Sequence, residues 1–176
     1  MEKFWIMCAV CLVVAGCSQQ EKLTPEEAMQ TIRQELEYPK PYVYEIFCAD
    51  PEYARKATDA GLESNGLLSV RRTRKISELG QPLIGFTTKA NPYLLPATEE
   101  DSQANIRKVK IADEDLVKVS GIRTEDDGRK AVVEYTVGYT NVTPFAPLVR
   151  ADLRKPSPRT ARFVLHEDGW RLEKRQ

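Results

Sequence analysis

Ala131, Val133, Tyr135, Val137 and Tyr139 recur at every second position, with Glu134, Thr136 and Thr140 on the other parity. Successive side chains of an extended strand point to opposite faces, so this stretch predicts a strand with one apolar and one polar face. Its apolar face demands neighbouring strands and a second layer of structure. The same alternation returns in Ala161, Phe163 and Leu165 against Arg162 and His166, and Asp168-Gly169 reads as a hairpin turn into Trp170 and Leu172. Earlier in the chain Val109 and Ile111 alternate, Leu116 to Ile122 reads as a further short strand, and Glu125-Asp126-Asp127-Gly128 as a turn. Residues 105–176 are therefore expected to form an antiparallel sheet that leans on helices from elsewhere in the chain.

Those helices are signalled upstream. Thr24-Pro25-Glu26-Glu27 has the order of a helix start: a capping hydroxyl, proline at the first helical position, and a carboxylate placed to reach back to the cap. Met29, Ile32 and Leu36 continue at helical spacing and Pro39 stops the run. Asp50-Pro51-Glu52 repeats the signal and predicts a helix to about Asn65, with Gly66 as its end. Pro39 to Phe47 is compatible with helix or strand. Leu67 to Lys75 and Leu83 to Thr88 read as two strands joined around Gly80-Gln81-Pro82. The expected class is α+β, with a helical and hairpin subdomain over 24–95, a polar seam over 96–104, and the sheet subdomain after it.

The first residues carry a different message. One lysine in Met1-Glu2-Lys3 precedes unbroken apolar sequence from Phe4 to Val14, followed by Ala15, Gly16 and Cys17. This is the order of a secretion signal over residues 1–16, and its apolar run falls well short of the ~20 residues a membrane-crossing helix needs. Val14-Ala15-Gly16-Cys17 at its end resembles the lipid attachment motif of bacterial lipoprotein precursors. The resemblance implies cleavage before Cys17, diacylglycerol on its thiol, a further acyl chain on the new amine, and a short tether over residues 17–23. Ser18 is not the aspartate that in Gram-negative relatives often marks inner-membrane retention, so outer-membrane anchorage facing the periplasm is what the resemblance implies in such a host.

The stretch from a helix through Leu62-Glu63-Ser64-Asn65-Gly66-Leu67-Leu68, a basic strand, a hairpin tip and a return strand into Phe86-Thr87-Thr88 resembles the end of a winged-helix domain, over about Thr24 to Leu95. Pro92 departs from the family, in which a helix follows the wing. In a cytoplasmic member Arg71, Arg72, Arg74 and Lys75 would meet phosphates. Here they are read first as a charged edge strand protected from pairing, and as a candidate contact surface, together with the proline-rich loop from Asn141 to Pro158.

Charge excludes a global attraction to nucleic acid: the chain has 26 basic and 26 acidic residues, and loss of residues 1–16 removes one of each. Of the four cysteines, Cys8 and Cys11 leave with the signal and Cys17 carries lipid, so Cys48 stands alone and is expected to be buried. His166 is the one histidine, too few for a usual zinc site. No phosphate-binding glycine loop or catalytic signature is present, and no catalytic residue, metal or cofactor is expected. The expected role is a non-enzymatic, membrane-anchored module that binds an envelope protein or helps to assemble the envelope. The rivals are an envelope hydrolase using Cys48 or His166, and a cytoplasmic winged-helix DNA binder whose N-terminus only mimics a signal.

Overall fold

The computed structural model describes residues 22–72 and 80–173. The leader, Cys17, Arg74 and Lys75 lie outside the described residues. The first helix, α1 (Pro25–Glu35), begins as its sequence dictates: the Thr24 hydroxyl accepts from the Glu27 N–H at 3.2 Å, and the Glu27 carboxylate accepts from the Thr24 N–H at 3.1 Å. A strand follows, β1 (Lys40–Phe47), settling the segment that the sequence left open. The second helix, α2 (Pro51–Asp59), is capped by Asp50 but stops six residues earlier than expected. Gly61, at φ +72°, takes the left-handed position after the cap, and Gly61 N–H and Leu62 N–H close back on the Thr58 and Ala57 carbonyls. This is a helix-terminating pair of bonds that glycine permits without strain.

Two short strands, β2 (Leu68–Val70) and β3 (Ile84–Phe86), form a small antiparallel pair. Thr98 and Asp101 then cap one another across a five-residue helix, α3 (Glu99–Gln103). The main sheet is completed by β4 (Ile106–Glu125), β5 (Lys130–Thr140), β6 (Ser157–His166) and β7 (Gly169–Leu172). Its order is β1-β4-β5-β6-β7, with every neighbouring pair antiparallel. The two short strands expected around Val109 and Leu116 are one strand of 20 residues. Its register slips opposite Tyr42/Val43, between Leu116 and Lys118, and between Val119 and Gly121. An extra residue at such a bulge breaks the alternation without ending the strand.

The apolar residues gather into two clusters. In the first, Ile46 of β1 and Val109 and Ile111 of β4 pack with Ala54 and Ala57 of α2, Leu62, Leu67 and the β2–β3 pair. In the second, Leu23, Ala28 and Ile32 around α1 cover Leu116, Val133, Val137 and Phe163 of the sheet. The resemblance to a winged helix is not confirmed: α1 and α2 belong to different clusters, and β1, which lies between them, pairs along its length with β4.

The loop after β5 departs from the expected contact surface at its start. Phe145 is fully buried in the first cluster, and Thr143 clamps it there: the Thr143 hydroxyl donates to the Lys110 carbonyl at 2.6 Å and accepts from the Phe145 N–H at 3.2 Å. Phe145→Ala is expected to lower unfolding free energy by about 3–5 kcal/mol in denaturant titration; a change near zero would mean that the loop is not part of the core.

Candidate functional site

Arg71 and Arg72 follow β2 and flank a groove of about 420 Å3 between that strand and α2. Buried Ala54 and Leu83 line it with half-buried Val70, and the exposed Arg55, Arg71 and Arg72 give it a basic margin beside Asp59. The edge of β2 is closed by one carboxylate: Glu63 accepts the Val70 N–H at 3.0 Å and binds the Arg72 guanidinium at 2.6 Å. A capped edge of this kind resists pairing with a foreign strand, but here the cap is Glu63 rather than the basic residues, which follow the short strand instead of lying on it.

Cys48 is buried, 4 % exposed, with its thiol donating to the Ile46 carbonyl at 3.5 Å. Burial pushes its pKa up, against the opposing influence of Arg107, so the reactive thiolate is disfavoured. His166 is exposed at the end of β6. The sheet order places two strands, β4 and β5, between the strands that end at these residues. Along β4 the register sets Phe47 at the Ile106 end, whereas Val164 is reached through Lys130 at the Glu125 end. Cys48 and His166 are therefore at opposite corners of the sheet and form no nucleophile and base pair. Among the described residues no group of three or more histidine, cysteine, aspartate or glutamate side chains could hold a metal ion, and no helix is long and apolar enough to cross a membrane.

Four aromatic residues divide between the two clusters. Tyr42 and Tyr44 pack on the first cluster, while Tyr38 and Trp170 belong with the second. Tyr38 instead leads to a polar centre between the clusters. Glu114, 6 % exposed on β4, accepts the Tyr38 hydroxyl at 3.0 Å and faces the Arg159 guanidinium at 3.6 Å. Arg159 also donates to the Tyr139 hydroxyl at 3.1 Å, and the Tyr139 ring lies 5.6 Å from Tyr42. Burial, with Tyr135 and Glu114 nearby, raises the Tyr38 pKa well above the ordinary phenol range and keeps its proton in place as a donor. Tyr42 is raised too, chiefly by burial. The partners turn inward on one another, so the centre joins β4, β5 and β6 to the end of α1 and presents no accessible base.

Comparison with family models, with curated proteins and with solved structures returned no match.

Two measurements check this description. Tyr38→Phe removes the donor to a buried carboxylate and is expected to cost about 1.5–3 kcal/mol of stability by denaturant unfolding; an unchanged midpoint would show the bond to be dispensable. Peptide mapping after brief iodoacetamide treatment should find Cys48 unmodified in the folded chain and modified once the chain is unfolded. Fast native labelling would contradict its burial.

Proposed function

We propose that this chain is a lipid-anchored module of a bacterial envelope that binds a protein partner or takes part in envelope assembly without catalysing a reaction. The observation that carries the reading is Val14-Ala15-Gly16-Cys17 at the end of a charged and then apolar leader. One acyl chain gives marginal membrane residence, and a second or third makes release slow. From Cys17 to the buried Leu23 the chain spans at most roughly 20 Å, which would hold the α1 end of the body close to the bilayer. In a Gram-negative host Ser18 favours the outer membrane, facing the periplasm.

A binding role is supported by the chemistry of the two residues on which a hydrolase would depend. Cys48 is buried with its thiolate disfavoured, and His166 stands far from it on the surface. A DNA-binding role has little to draw on, since the chain is neutral and α1 and α2 do not share one core. The contact surface proposed for a partner is the basic edge of Arg71 and Arg72 beside the α2 groove, continuing in sequence to Arg74 and Lys75.

Mass spectrometry of the chain purified from bacterial membranes tests the reading. A mature start at Cys17 carrying diacylglycerol and acyl mass is expected, and Cys17→Ser should leave the leader uncleaved and without lipid. An intact leader on the unaltered chain, or a start at Cys17 without added acyl mass, would overturn it.

A further inference from the structure

Pro51, Ala54, Arg55, Thr58 and Asp59 all line the α2 groove, so it runs the length of that helix. At a rise of 1.5 Å per residue this is about 12 Å, the reach of roughly four residues of extended chain. Its floor is aliphatic, built from buried Ala54 and Leu83 with half-buried Val70. Its margin is basic: Arg55, Arg71 and Arg72 stand against the one carboxylate of Asp59 among the lining residues. Arg55 is exposed on α2 and has no ion pair among the described residues. Two lining residues already hold a carboxylate between them. One oxygen of Glu63 accepts the Val70 N–H at 3.0 Å and the other accepts from the Arg72 guanidinium at 2.6 Å. Guanidinium groups favour such planar, two-oxygen partners.

We infer that this groove receives an extended peptide segment of the partner protein in which aspartate or glutamate stands beside an aliphatic side chain. The inference rests on the contact surface proposed above and names the chemistry of what meets it. The aliphatic side chain packs on Ala54, Val70 and Leu83 and loses its contact with water there, which holds the complex together. The carboxylates meet the arginines of the margin, which set the choice of partner and the rate of encounter more than the affinity. A plain polyanion fits less well, since it has no apolar group for the floor and a continuous run of negative charge meets Asp59. Addition of a strand to β2 is not the mode of binding, because Glu63 takes the Val70 N–H. Recognition falls to side chains along the groove.

Selection from a phage-displayed library of random ten-residue peptides on the purified full chain tests it. The enriched sequences should carry two or more acidic residues within two positions of Leu, Ile or Val. A synthetic peptide of the enriched sequence should bind Arg55→Glu at least about tenfold more weakly, because an attraction at the rim becomes a repulsion. Asp59→Asn removes the opposing carboxylate and should bind it several-fold more tightly, which decides the matter should Arg55→Glu fail to fold. No enrichment, enrichment without acidic residues, acidic sequences lacking an aliphatic residue, or affinity unmoved by either substitution overturns the inference. A photo-crosslinker at position 55 of the full chain in the native envelope separates this failure from that of the binding reading. A protein trapped there whose contacting segment is not acidic overturns the inference alone, whereas no trapped protein overturns both.

Discussion

Strand β4 is the constraint on which the rest of the structure depends. Val109 and Ile111 near its start close the cluster around α2, and Leu116 further along closes the cluster under α1. A strand that served two cores without interruption would have to keep one alternation for 20 residues. Bulges opposite Tyr42/Val43 and after Leu116 relieve that demand by letting the strand bend and re-aim its side chains. The buried Glu114 sits between these two stretches. Its bonds to Tyr38 and Arg159 tie the end of α1 and the edge of β6 to the strand where it passes from one core to the other.

On the anchor and binding reading proposed above, this arrangement would separate address from recognition. The tether proposed above would lead into Leu23, beside α1 and the second cluster, whereas the basic groove and the capped edge of β2 belong with α2 and the first. A module held in the proposed way at one end and offering its groove from the other would suit a partner approaching from the aqueous side. Glu63 closes the short edge of β2, and the Tyr53 ring of α2 packs beside β1, 5.1 Å from Phe47 and 6.3 Å from Tyr44.

Much of the fold was legible because alternation and capping are local. Thr24 and Glu27, the apolar face from Ala131 to Val137, and the turn before Gly169 all follow from residues within a few positions of one another. What the sequence hid was long-range. The 20-residue length of β4 is masked by bulges that break period two; the end of α2 is ambiguous for a local reason, since Gly61 and Gly66 both take the left-handed conformation and either can stop a helix. The polar centre did leave a trace: Glu114 is in phase with Ala112 and Leu116, and Arg159 with Ala161 and Phe163, so each is a charge on a buried face. Reading them as a pair requires knowing that β4 and β6 are both neighbours of β5, which no local pattern states. Phe145 was hidden for a similar reason, in a proline-rich loop that looks like surface until Thr143 is seen bonding to Lys110.

Native-state hydrogen exchange followed residue by residue tests most directly whether β4 binds the two cores into one cooperative unit. The amides of Val109 and Ile111 in the first core, and of Val133 and Val137 in the second, should share one opening free energy equal to that of global unfolding. A markedly lower value for the α2 side, with the α1 side still protected, would contradict the account and show two halves that open independently.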